Sequence, residues 1–122
     1  MDAVDAQAVL ARLADAFGAV EDRTPGEDQP LHVLLSALEL PEPWTPCPAR
    51  ALAIWQGWPA ERPRFLVDER VVGETNAPPR SSELVYLLGE GWREYSFSFP
   101  WSGDDPVHAI QRWLTRFVKE RS

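Results

Sequence analysis

Cys47 is the only cysteine in this chain of 122 residues, so it is the only thiol that could act as a nucleophile. A thiol reacts as its thiolate, which forms readily at neutral pH beside a positive group or a helix N-terminus. Arg50 is close in sequence. Pro46 and Pro48 flank the cysteine, however, and this spacing is typical of a loop. We therefore expect a surface or half-buried cysteine without a catalytic role, and Cys47 is only a fallback nucleophile.

The two histidines, His32 and His108, are separated by most of the chain. A metal site needs several His, Cys or carboxylate ligands that converge, and one cysteine cannot complete such a set with two distant histidines. The sequence therefore predicts no metal site, and no motif indicates a cofactor.

Several carboxylates lie in the second half of the chain, namely Glu90, Glu94, Asp104 and Asp105. Two acids at a fixed separation could support glycosidase-type or metal-assisted chemistry. Turn formation and helix capping already account for the two aspartates. Gly89-Glu90-Gly91 is too short for a phosphate-binding loop and carries an acid where an anion would bind, so it predicts a turn.

The formal net charge of −7 and the pI near 4.7 disfavour nucleic acid as a partner, because the field of the whole molecule repels phosphate. A basic protein surface is the partner that this charge favours. The apolar runs are far shorter than a membrane span, and the first residues lack the basic flank and apolar core of a secretory signal. We expect a cytoplasmic protein, away from membranes, with one domain over residues 1–122.

Helices are predicted at both ends of the chain. Asp2 is a plausible N-cap, and an apolar stripe follows at three- and four-residue spacing before Pro25. Its members are Leu10, Leu13, Phe17 and Val20. Asp105-Pro106 supplies an N-cap and a proline at the first helical position of the last helix. The buried stripe of that helix is expected to contain Val107, Ile110, Leu114 and Phe117, with Trp113 and Val118 at its edge.

The middle of the chain favours strands. Leu31–Leu40 fits either a helix or a strand, because so short an apolar run satisfies both periods. Ala49–Trp55 has strand character, and Tyr95, Phe97 and Phe99 alternate with serines as in a strand with one aromatic face. A proline-rich loop separates the first two segments.

The stretch ALAIWQGWPAERPRFLVDE, from Ala51 to Glu69, indicates a strand, a proline-braced turn at Trp58-Pro59 and a second strand. This layout resembles the ubiquitin-conjugating enzyme family, in which a central strand runs into a similar turn. The order of ELVYLLGEGW and then the helical PVHAIQRWLTRF extends the resemblance over about residues 50–120. The closing segment is similar to the divergent bacterial branch of that superfamily.

The resemblance implies a catalytic cysteine near Val85 or Tyr86, and neither side chain can form a thioester. The histidine-proline-asparagine element of the family is also absent, with only Asn76 before Pro78-Pro79. The implied fold is α+β, a small antiparallel sheet flanked by N- and C-terminal helices. The implied protein is a conjugating-enzyme-like pseudoenzyme that binds a ubiquitin-like protein or its activating enzyme.

Two other functions stay open. One is a small acidic adaptor or immunity protein that binds a basic partner, and the other is an active conjugating enzyme that uses Cys47, or Ser81 or Ser82 as an oxyester-forming hydroxyl. Tryptophan is enriched in interface cores, although most tryptophans complete a hydrophobic core. The candidate binding residues are Trp44, Trp58, Tyr86, Trp92 and Trp101. We expect Trp44, Trp58 and Trp101 to be partly exposed.

Overall fold

The computed structural model describes residues 3–56, 60–95 and 105–120. Its elements, in chain order, are α1 (Ala3–Phe17), β1 (Val20–Asp22), β2 (His32–Leu38), β3 (Ala49–Ile54), β4 (Arg64–Asp68), β5 (Ser82–Leu87), β6 (Glu90–Tyr95) and α2 (Pro106–Lys119). The six strands form one antiparallel sheet in the order β1-β2-β3-β4-β6-β5. The predicted α+β fold, an antiparallel sheet with an N- and a C-terminal helix, is confirmed.

Both helices pack on one face of the sheet. The core cluster on that face joins apolar residues of the two helices to alternate residues of β2, β3 and β4. On β3 these residues are Ala49, Ala51 and Ala53, whose small side chains leave room for rings. The Trp113 ring of α2 stacks on Phe65 of β4, with their centroids 5.0 Å apart. Helix α2 therefore contacts the sheet through aromatic packing.

The other face of the sheet carries a smaller apolar cluster and a band of charged side chains. The cluster contains Leu34, Leu52, Ile54, Leu66 and Trp92. Arg64 forms a two-point ion pair with Glu94, with N···O distances of 2.6 and 2.9 Å. This ion pair joins the neighbouring strands β4 and β6.

Several sequence predictions are settled by these elements. Leu31–Leu40 is a strand over His32–Leu38, with a register irregularity between Leu35 and Leu38. The first helix ends before Pro25 as predicted, but earlier than its predicted stripe requires, because α1 ends at Phe17 and Gly18 adopts a left-handed φ of 80°. Val20 therefore lies in β1 and not on the helical stripe.

The last helix begins as predicted, since the Asp105 carboxylate accepts a hydrogen bond from the Val107 N–H and Pro106 occupies the first turn. Trp113 was expected at the edge of the stripe and is instead fully buried. Asp2, Phe97 and Phe99 lie outside the described residues. None of the helices in the described part of the chain is long and apolar enough to cross a bilayer.

Candidate functional site

The β5–β6 hairpin forms one edge of the sheet. Its strands are joined by Leu88 and Gly89, which both have left-handed φ values, of 55° and 74°. This is the geometry of a two-residue hairpin turn whose twist matches that of the strands. The turn predicted at Gly89-Glu90-Gly91 therefore lies one residue earlier, and Glu90 already begins β6. Within the described residues, β5 pairs only with β6.

The hydrogen-bonding pattern of this hairpin leaves part of the β5 backbone facing outward. Leu87 and Glu90 flank the turn, so they exchange both of their backbone hydrogen bonds, and alternate residues repeat this pairing. The backbone groups of Ser82, Leu84 and Tyr86 consequently point away from β6. The Ser82 N–H donates to the carbonyl of Pro79 at 3.3 Å. Leu84 and Tyr86 are therefore the two β5 residues that could pair with another strand.

The side chains of the same two residues are exposed. Leu84 is 45% exposed and Tyr86 73% exposed, although both are large and apolar or aromatic. They lie on one face of the strand, opposite Arg93 and Gly91 of β6. Val85 lies on the other face, opposite the buried Trp92. We call Leu84, Tyr86 and their outward backbone groups the β5 edge.

A depression of about 480 Å³ adjoins the β5 edge where β3 begins and β4 ends. Four charged side chains in it form what we call the charged cluster, namely Arg50, Asp68, Arg70 and Glu90. Arg50 binds Glu90 at 2.8 Å and lies 3.8 Å from the Asp68 carboxylate. Arg70 donates to both Asp68 oxygens, at 3.0 and 2.8 Å. The guanidinium carbon of Arg50 is also 5.1 Å from the centre of the Trp92 ring.

These contacts favour the ionised form of every member of the charged cluster. The hydrogen bond from Arg70 holds the pKa of Asp68 below its ordinary value, against the opposing effect of burial. The hydrogen bond from Arg50 likewise lowers the pKa of Glu90, and Glu90 raises the pKa of Arg50. A general acid or base needs a pKa near the working pH, and these shifts move both carboxylates away from neutrality. The cluster is therefore suited to positioning and recognition.

The remaining carboxylates that could have formed an acid pair are also engaged. Glu94 is paired with Arg64, and Asp105 both caps α2 and accepts hydrogen bonds from Arg12 at 3.0–3.1 Å. Burial opposes ionisation of Asp105, but Arg12 and the Val107 N–H outweigh it, so its pKa is lowered. Asp104 lies outside the described residues.

Cys47 is exposed, and its Sγ lies 3.5 Å from the Leu40 carbonyl oxygen. Arg50, the cation nearest in sequence, directs its guanidinium to Glu90, Asp68 and Trp92. Of the two serines, Ser82 donates its hydroxyl to the Pro79 carbonyl and Ser81 is exposed.

The predicted binding residues differ in their exposure to solvent. Trp44 is 1% exposed, so its expected exposure is wrong: its indole N–H donates to the Phe117 carbonyl at 2.7 Å, and its ring meets the Phe117 ring edge-on. Trp92 is equally buried, beneath Arg50. Trp58 and Trp101 lie outside the described residues. Tyr86 alone, of the three that the structure describes, is exposed.

Sequence reasoning missed Leu84 and the Arg50–Glu90 pair. The signal for Leu84 was available, because SELVYL and EGWREY flank a short turn with alternating side chains. The ion pair joins residues 40 positions apart, and its formation depends on strand order. No group of three or more His, Cys, Asp or Glu in the described residues is arranged to hold a metal ion. Comparison with family models, curated proteins and solved structures gives no match to this chain.

Proposed function

We propose that this chain is a non-catalytic protein-binding protein whose contact surface is the β5 edge. The observation that carries the proposal is the coincidence, at Leu84 and Tyr86, of exposed apolar side chains with backbone groups that point away from the sheet. An edge of this kind can accept an additional strand from a partner, with backbone hydrogen bonds for affinity and side chains for specificity.

The resemblance to conjugating enzymes suggests the class of partner, a ubiquitin-like protein or its activating enzyme. Val85 and Tyr86, near which the family would place its cysteine, lie in the middle of β5. That position therefore presents a strand edge and no thiol. Loss of a nucleophile from a fold leaves its binding surface intact, which supports a role in binding without catalysis.

The net charge of the chain also supports a role in binding another protein. The net charge of −7 favours a basic contact surface, and Glu83 is an exposed acid within β5 itself. A partner strand that carries apolar side chains opposite Leu84 and Tyr86, and a basic side chain opposite Glu83, would match the β5 edge.

The test is a binding titration with a bacterial ubiquitin-like protein and, separately, with its activating enzyme. Leu84→Ala and Tyr86→Ala are each expected to weaken binding by about tenfold or more, as truncation of a central contact residue does. Val118→Ala is the control for truncation of an exposed apolar side chain, because Val118 is 57% exposed and belongs to α2 and not to β5. Equal losses in all three variants, or no loss at β5, would contradict the proposal.

Incubation of the chain with the ubiquitin-like protein, its activating enzyme and ATP distinguishes an enzyme from a binding protein. We expect no adduct that is sensitive to a reducing agent, and a thioester that disappears in Cys47→Ala would show an active enzyme instead. If binding to a basic partner vanishes at high salt and is unchanged by Leu84→Ala and by Tyr86→Ala, the contact is electrostatic. The acidic adaptor or immunity function would then be the better one.

A further inference from the structure

The β5 edge is complementary to itself. Two β5 strands can run antiparallel about a twofold axis at Val85, which places Leu84 of each copy opposite Tyr86 of the other. We propose that two copies of this chain pair in this register and join their sheets into one continuous sheet. The pairing does not require the partner of the proposed function, so the two proposals can fail independently.

The backbone selects this register. Leu84 and Tyr86 both have outward N–H and carbonyl groups, so each of the two pairings exchanges two hydrogen bonds. A shift by one residue would bring outward groups against Val85, whose own groups are bonded to β6. An axis at Leu84 would need Ser82, whose N–H is already bound to Pro79. An axis at Tyr86 would need Leu88, which is in the turn.

Side chains on both faces agree with the same register. On one face, each exposed Tyr86 ring covers Leu84 of the second copy, and an aromatic–aliphatic cross-strand pair of this kind stabilises a sheet. On the other face, Val85 meets Val85. Glu83 falls opposite Leu87, so no two carboxylates face each other across the axis. The pairing thus avoids the like-charge contact that would oppose it.

The contact is short, because β5 spans 6 residues. Stable interfaces bury roughly 1,200–2,000 Å², and pairing of two such strands falls at or below the lower end. We therefore expect a reversible dimer whose population rises with protein concentration. Each copy carries a net charge of −7, so long-range repulsion opposes association and salt should strengthen the dimer.

A disulfide tests the register directly. In the Cys47→Ala background, Val85→Cys places two cysteines at a directly opposed, non-hydrogen-bonded position, about 4.5 Å apart at Cα, within the roughly 4.4–6.8 Å that a disulfide requires. Glu83→Cys is the matched control on the same face of the same strand. Its two copies would be about 13 Å apart along the strand direction. Mild oxidation should convert Val85→Cys, and not Glu83→Cys, to a covalent dimer on a non-reducing gel.

A second arm uses sedimentation of the wild-type chain over a range of concentrations. Leu84→Pro removes an outward N–H and leaves the hydrogen bonds between β5 and β6 in place, as proline at an outward position of an edge strand does. It should keep the wild-type circular dichroism spectrum and sediment as a monomer. If that variant misfolds, Tyr86→Ala serves the same purpose without a backbone change.

Three results would overturn the proposal. They are a wild-type chain that stays monomeric at every concentration, a Glu83→Cys variant that cross-links as readily as Val85→Cys, and a folded Leu84→Pro variant that still dimerises. Each of them can occur whether or not a ubiquitin-like protein binds.

Discussion

At the scale of single residues, burial separates the aromatic side chains into two groups with different roles. Trp44 is buried in the core beneath the helices, with both its ring and its N–H engaged by Phe117 of α2. Tyr86 projects from the edge of the sheet. The first residue stabilises the fold, and the second is available to a partner.

This division predicts opposite effects of two alanine substitutions. Trp44→Ala should lower the free energy of unfolding by about 3–5 kcal/mol, because it leaves a cavity and an unpaired Phe117 carbonyl. Tyr86→Ala should change it by no more than about 0.5 kcal/mol. Urea unfolding followed by circular dichroism measures both values. Similar losses in the two variants would show that Tyr86 belongs to the core.

The contacts of the Asp68 carboxylate predict that part of the free energy of unfolding is lost in acid. Its pKa is lowered in the folded chain, chiefly by the hydrogen bond from Arg70, so the unfolded chain binds this proton more readily. The resulting stability is present above the unfolded pKa of about 3.9 and is lost as pH falls through the lower folded pKa. Asp68→Asn should therefore be less stable than the wild type by about 1–3 kcal/mol near neutral pH.

The difference between Asp68→Asn and the wild type should shrink as the solution is acidified toward about pH 2. Urea midpoints across the pH range test this. Glu21→Gln is a control, because the Glu21–Arg23 pair is exposed and such pairs contribute little. A stability difference that is independent of pH would mean that Asp68 acts through its shape and not its charge.

Local chemistry made some residues predictable and others not. Asp105 could be predicted as a helix N-cap because the signal is local: Pro106 follows it at the first helical position. The burial of Trp44 depends on Phe117, 73 positions away, and proline neighbours alone suggested exposure. Site residues whose partners are distant in sequence require the tertiary fold.

At the scale of elements, the hairpin between β5 and β6 positions the candidate site. Its turn requires φ > 0 at two successive residues, and Gly89 meets this need without strain. Apart from Gly89 and its two chain neighbours, no heavy atom of the described residues lies within 4 Å of a Cβ added at Gly89, so the cost of a substitution there is conformational and not steric.

Gly89→Ala should therefore destabilise the protein by about 1–2 kcal/mol, the cost of the left-handed conformation for an L-residue. Gly89→Asn is the matched comparison, because asparagine adopts this conformation more readily. It should retain most of the wild-type stability. Thermal and urea unfolding of the three proteins measure the order, and equal stability of the two variants would contradict the turn assignment.

The strands also show where the sequence pattern was sufficient to predict secondary structure. Ala51–Glu69 was predicted as a strand, turn and strand, and β3 and β4 pair in that way. Leu31–Leu40 could not be assigned, because its apolar spacing satisfied two periods. Pairing with β1 and β3 selects the strand. Its mixed periodicity follows from the burial of Leu34 and Leu35 on opposite faces of the sheet, together with the irregularity between Leu35 and Leu38. Long-range pairing decided what local pattern left open.

At the scale of the whole molecule, the two proposed interactions should respond to salt with opposite signs. A basic partner is attracted to a chain of charge −7, whereas a second copy is repelled by it. Raising ionic strength should slow association with the partner and strengthen the dimer. Association rates and sedimentation at about 0.05 and 0.5 M salt measure the two trends, since the screening length shortens several-fold over this range. If salt strengthens both interactions or weakens both, net charge does not control one of the two in the way proposed.

Both interactions also use the same edge, so they should exclude each other. In the disulfide-linked Val85→Cys dimer, the outward groups of Leu84 and Tyr86 are occupied, and a ubiquitin-like protein that adds a strand there cannot bind. Reduction of the disulfide should restore binding in the same sample, which controls for damage to the fold. The apparent affinity of the wild type should likewise weaken as its own concentration rises, because dimerisation lowers the fraction that is competent to bind. Undiminished binding by the linked dimer would place the partner on a surface other than β5.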